Sequence, residues 1–94
     1  MGIKMEKLLL EETRMARTCR GRPLELRYCL FREETDEAGA EYGVGVRAVC
    51  QGESTCARAA RLTVSREKAE SFLRMLVRGT VTPAGLMDVV ADWL

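Results

Sequence analysis

Cysteine is the residue with the widest chemical range in this 94-residue sequence, at Cys19, Cys29, Cys50 and Cys56, and the chain contains no histidine. The spacings of 10, 21 and 6 include no C-x-x-C pair. A zinc site is normally built from closely paired Cys or His ligands, so this spacing points away from metal. The opening Leu8-Leu9-Leu10 run is closed by Glu11 and Glu12, too short for a secretory leader core of about 7–15 apolar residues. Disulfides are therefore not expected, and the cysteines read as small apolar side chains on strands. Asp88 and Asp92 stand four apart on a helical stretch. Two carboxylates are too few for a calcium-like ion, which takes six to eight oxygens, and they read as solvated helix surface. Gly43-Val44-Gly45 lacks the G-x-G-x-x-G spacing and the following helix of a phosphate loop. With no recognisable nucleophile elbow either, neither catalysis nor a cofactor is expected.

Arginine is the other loaded residue type. Arg14, Arg17, Arg20, Arg22 and Arg27 gather around one turn, and Arg58, Arg61 and Arg66 form a second group. Guanidinium forks suit phosphate oxygens. If neighbouring strands bring the groups together, Arg17, Arg20, Arg22, Arg58 and Arg61 are candidate nucleic-acid contacts. The overall balance argues the other way. The net charge is only +1, and residues 33–53 hold six acidic side chains against one basic. Nucleic-acid binders show an uncompensated basic face, and single-strand binders add exposed aromatics for stacking. Aromatics are only 5% of this chain, and most fall on core-facing positions.

The elements that must position these residues follow from periodicity. Met5 to Ala16 is compatible with a strand or a helix; the strand reading is favoured because the next segments need an antiparallel neighbour. Leu8, Leu10 and Met15 would line one face. Gly21 and Pro23 mark a turn. Leu24 to Glu33 alternates Leu24, Leu26, Tyr28 and Leu30 against Glu25, Arg27, Cys29 and Phe31, the period of a strand. An acidic hairpin loop, 34–40, leads into 41–50, with Tyr42, Val44, Val46 and Ala48 on one face and Gly43, Gly45, Arg47 and Val49 on the other. After a turn at 51–55, Cys56 to Val64 reads as a last strand, with Cys56, Arg58, Ala60, Leu62 and Val64 on one side; the alanines make helix a competitor over 57–61, and the Leu-Thr-Val ending favours the strand.

Ser65 is a good N-cap, and Ala69, Phe72, Leu73 and Leu76 repeat at helical spacing up to Gly79, read as a left-handed cap. Thr82-Pro83 opens a second helix with a stripe of Leu86, Val89, Val90, Trp93 and Leu94. Its end would set the terminal carboxylate against a helix C-terminus.

The order strand, acidic hairpin, Tyr42-Gly43 strand, strand, Ser65-capped helix with Glu67, then VTPAGLMDVVADWL resembles an uncharacterised family of small, clostridial-type bacterial proteins. Val81, Thr82, Pro83, Leu86, Asp88, Val89, Val90, Asp92 and Leu94 carry the C-terminal part, and the likeness runs over about 22–94. It implies a fold but no activity, ligand or catalytic residue. This chain is richer in Arg and Ala than that family pattern.

The sequence thus reads as one α+β domain over residues 1–94, with 1–22 a less ordered or edge-strand segment. A three- to four-stranded antiparallel β-meander is followed by two C-terminal helices packed on one sheet face. The expected role is non-enzymatic and cytoplasmic: binding another protein or a second copy, with no membrane and no cofactor. The candidate contact face is the uncovered side of the sheet, at Cys29, Phe31, Arg47 and Val49. The alternative is a nucleic-acid-binding regulator using the arginines.

Overall fold

In the computed structural model, residues 5–36 and 39–93 are described. The expectations for loop residues Glu37 and Ala38 and for the carboxylate at Leu94 lie outside them. Four strands, β1 (Met5–Arg17), β2 (Pro23–Thr35), β3 (Gly39–Cys50) and β4 (Glu53–Thr63), form one antiparallel sheet in the order β1-β2-β3-β4. Two helices follow, α1 (Arg66–Arg78) and α2 (Leu86–Trp93), with a 3₁₀ turn at Pro83–Gly85 between them. This is the α+β meander with a helical cover that the periodicity predicts, in its four-stranded form.

The core lies between one sheet face and the helices. Leu26, Tyr28 and Leu30 from β2, Val44, Val46 and Ala48 from β3, and Ala59 from β4 meet Ala69, Phe72, Leu73, Leu76, Leu86 and Val90. Alternation of β2 and β3 is as read from the sequence. β4 is a correction. Ala57 and Ala59 turn toward the helices, and an irregularity between the Tyr42 and Val44 positions resets the phase so that Leu62 also packs on the core. At that irregularity Arg61 takes a left-handed backbone, φ 55°.

β1 is a strand throughout, which settles the strand–helix ambiguity. Left alone, β2 would present a row of unpaired backbone groups, and a tight turn folds β1 back onto it. In that turn the Thr18 N–H donates to Arg22 O at 2.9 Å and Gly21 sits at φ 79°. The expectation that Leu8 and Leu10 share a face is overturned. A bulge at Leu9 places Leu8 opposite Phe31 on one face and Leu10 opposite Leu30 on the other. Only Leu9 and Ala16 of β1 are half-buried and packed against the core.

Ser65 caps α1 as expected, its hydroxyl accepting from the Lys68 N–H at 3.3 Å. The other end departs from expectation. Gly79 is right-handed at φ −83°, and the left-handed residue is Thr80 at φ 52°. Val81 N–H reaches Leu76 O and Thr80 N–H reaches Val77 O, both at 3.1 Å, which is a Schellman closure one residue later than the glycine suggested. Thr82 starts the 3₁₀ turn without a side-chain cap bond. Trp93 is half-buried at the rim, its ring 4.7 Å from that of Phe72.

Candidate interaction surface

The sheet face away from the helices is organised in cross-strand rows. One row runs Glu11, Cys29, Gly45, Arg58; the next runs Thr13, Arg27, Arg47, Cys56; a third runs Met15, Glu25, Val49, Ser54. Beyond the first, Leu8 stands opposite Phe31 and Phe31 opposite Gly43. Glu6, Glu33 and Glu41 follow in line.

Close approach explains the two glycines of β3. A Cβ on Gly43 would lie 2.6 Å from Ala59 O and 2.8 Å from the Phe31 ring, and one on Gly45 would lie 2.9 Å from Cys29 Sγ. Phe31 and Cys29 therefore lie down over backbone instead of standing out into solvent. The Arg58 guanidinium covers the Phe31 ring at 4.1 Å, leaving Phe31 only 3% exposed. Burial pushes the Cys29 thiol pKa up, with a hydrogen bond from Gly45 and the charge of Arg58 pulling the other way. Among the residues expected to form an apolar contact face, Phe31 is thus already covered within the chain. Cys29 and Val49 are half-buried and Arg47 is exposed.

Arg58 does more than shield a ring. It pairs with Glu6 at 2.7 Å and lies 3.9 Å from the buried Glu33, while Arg61 is 3.8 Å from the other Glu33 oxygen. The hydrogen bond and charge of Glu6 raise the Arg58 pKa against a smaller opposing effect of burial. Glu6 and Arg58 belong to opposite edge strands, about 14 Å apart at a spacing of roughly 4.8 Å per strand, so two long side chains meet over the middle of the sheet. Strict alternation would send Arg58 and Arg61 to opposite faces. The left-handed Arg61 backbone brings both to Glu33, against what their odd spacing predicts.

A cleft of about 240 Å³ opens beside this network, lined by Arg27, Arg47, Arg58, Glu11, Cys29 and Cys56. Arg27 and Arg47 face each other directly across strands, a like-charge pairing, and Arg27 is bound to Glu25 at 2.8 Å. Of the two arginine groups read from the sequence, Arg27 and Arg58 share this cleft, but the turn arginines do not reach it. Arg17, Arg20 and Arg22 lie at the β1–β2 turn, where Arg17 donates to Gly21 O and Arg22 to Gln51. Arg58 and Arg61 lie about 20–26 Å along the strands from there, at about 3.3 Å per residue, and on the opposite edge. They are spent on Glu6 and Glu33. Asp88 and Asp92 are exposed on α2.

Beyond Val64, Met75 and Met87, the large exposed apolar side chains among the described residues lie on β1. Met5, Leu8, Leu10 and Met15 are 65%, 56%, 38% and 63% exposed. α1 packs across β2, β3 and β4, and α2 against β4. β1 is held by its ladder to β2, by Leu9 and Ala16, by Glu6–Arg58, and by Arg14, which donates to Val77 O at 3.1 Å at the C-terminal end of α1. Among the described residues no strand pairs with its outer edge. Exposure of an apolar edge depends on where the helices land, which the sequence pattern of the central strands does not show.

Fold and surface together define a small α+β domain, an open antiparallel meander with one helical layer and one bare edge. Residues 7–94 match the family of unknown function DUF6514, and the chain belongs to that family. No curated protein and no solved structure matches it. Among the described residues no helix is long and apolar enough to cross a membrane.

Proposed function

We propose that this chain is a non-enzymatic protein-interaction domain, working in a bacterial cytoplasm, whose binding element is the bare edge strand β1. The carrying observation is four large apolar side chains exposed along one edge strand, with Leu10 on the helix side of the sheet and Leu8 and Met15 on the other face. An edge strand with free backbone groups and alternating side chains offers hydrogen bonds for affinity and side chains for specificity. The opposite face supports this reading indirectly, because its central aromatic is already covered by Arg58. The C-terminal VTPAGLMDVVADWL run, which closes the helical cover, is proposed as the family's signature; it bears on the fold rather than on binding.

The test compares bait proteins. Wild type and a Leu10→Lys/Met15→Lys variant, both exposed positions, would be used to capture partners from a native extract, with melting temperatures measured alongside. Partners retained by wild type and lost by an equally stable variant support the reading. Equal capture by both overturns it.

A further inference from the structure

We propose that the partner of β1 is a second copy of this chain, joined antiparallel and edge to edge about Thr13 into one eight-stranded sheet. This rests on the reading of β1 as the binding element and names what fills it.

The two sheet edges are not equivalent. β4 pairs without interruption from Glu53 to Ala59 and is interrupted at Arg61, but α2 and the 3₁₀ turn pack against it, as no helix does so extensively against β1. β1 has its bulge at Leu9, and from Leu10 to Arg17 its pairing with β2 is uninterrupted. That regular stretch is long enough to add a strand.

Charge then selects the register. A two-fold axis normal to the sheet keeps each side chain on its own face, and opposed residues in an antiparallel pair share a face. The axis must therefore pass through a residue, not between two. Centring on Glu11, Glu12 or Arg14 sets a charge directly against its own copy, which is destabilising. Centring on Leu10 runs the pairing through the bulge, and centring on Met15 leaves Glu11 and Glu12 beyond the paired stretch. Centring on Thr13 avoids all of these. Glu12 of each copy then faces Arg14 of the other, Leu10 faces Ala16, Glu11 faces Met15, and Thr13 faces its counterpart. The helical cover of both copies falls on the same side, so Leu10 would be enclosed along the seam.

Polarity agrees with this pairing. Residues 5–12 of β1 hold Glu6, Glu11 and Glu12 against Lys7, while 13–17 hold Arg14 and Arg17 with no acid. Antiparallel association sets the acidic half of one copy beside the basic half of the other. Arg14 has donors to spare beyond its bond to Val77 O, since a guanidinium carries five N–H groups.

Sedimentation equilibrium over micromolar to millimolar protein tests the inference directly. The expected mass is twice the 10.5 kDa of the chain. Glu12→Arg, which sets arginines against each other twice, should weaken association at least tenfold, and mixing it with Arg14→Glu should restore a mixed dimer. Because Arg14 also touches α1, Thr13→Lys supplies an independent arm: it places two ammonium groups on the axis and should give a folded monomer. A strictly 10.5 kDa wild type, or Glu12→Arg and Thr13→Lys dimers as tight as wild type, would overturn the self-pairing. A monomeric wild type whose partner capture still depends on Leu10 and Met15 would sink self-pairing and leave the edge-strand reading standing. If neither association nor such capture is seen, both fall.

Discussion

Gly43 is where the sheet's uncovered face is decided. With no side chain there, Phe31 lies against the β3 backbone, and Arg58 can then close over the ring while holding Glu6 and approaching Glu33. One missing Cβ thus permits an aromatic, a cation and two carboxylates to occupy one layer. Gly43→Ala is expected to cost about 1–3 kcal/mol, the range for forcing an extra methyl into a packed site. Its backbone neighbour, Ala59 O at 2.6 Å, cannot swing aside as a side-chain end could. Urea denaturation of Gly43→Ala, alone and with Phe31→Leu, would check this. A loss that is partly recovered in the double variant assigns the strain to the ring, whereas a neutral Gly43→Ala would contradict the geometry. The glycines were visible in the sequence as an opening for something large; that Phe31 and Cys29 fill it depends on register.

Among the elements, α1 shows how a boundary shifts by one residue. Gly79 is the residue that sequence rules nominate for the left-handed position, yet Thr80 occupies it. The Schellman bonds from Thr80 and Val81 bring the Val81 carbonyl to the Tyr28 hydroxyl, which donates to it at 2.9 Å. A tertiary hydrogen bond and the packing of Val81 thus accompany a β-branched residue at positive φ, which carries a conformational penalty. Thr80→Gly should relieve that penalty and stabilise the domain by roughly 1 kcal/mol, partly offset by glycine's greater freedom when unfolded. Thermal melting would show it as a higher midpoint; a lower one would mean that Thr80 does not hold the left-handed position in solution. β1 shows the converse case, an element whose type depends on its neighbour. Its apolar residues fit two periods, and the exposed edge of β2 made the strand win.

For the whole molecule, the buried Tyr28 couples the core to pH. Burial raises its phenol pKa above 10.0, with Arg14 pulling weakly the other way. The folded state therefore holds the proton more tightly than the unfolded chain. The associated stability is fully present below about pH 10, the unfolded phenol value, and is lost as pH rises through the higher folded one. Cys29, raised above 9.0 chiefly by burial, acts in the same sense from a lower starting point. Stability should thus fall above about pH 9, with a slope of at most about 1.4 kcal/mol per pH unit for each group. Tyr28→Phe should lose about 1 kcal/mol at neutral pH with its bond to Val81 O, and flatten the alkaline slope. Denaturation curves between pH 7 and 11 test both; an unchanged slope in Tyr28→Phe would remove Tyr28 as its cause.

By itself, the sequence determined the order and type of most elements, because alternation in 24–50, the Ser65 cap and the two apolar helical stripes are local signals that tertiary context did not need to correct. It also carried the family match, over residues 7–94. Three things were decided only in the folded chain. The bulge at Leu9 and the left-handed Arg61 reset the faces of β1 and β4, and a phase shift has no fixed residue signature. The turn arginines Arg17, Arg20 and Arg22 were separated from Arg58 and Arg61, because a meander sends its first and last strands to opposite edges. And β1 was left bare, because α1 and α2 together are wide enough to shelter three strands and the sheet has four.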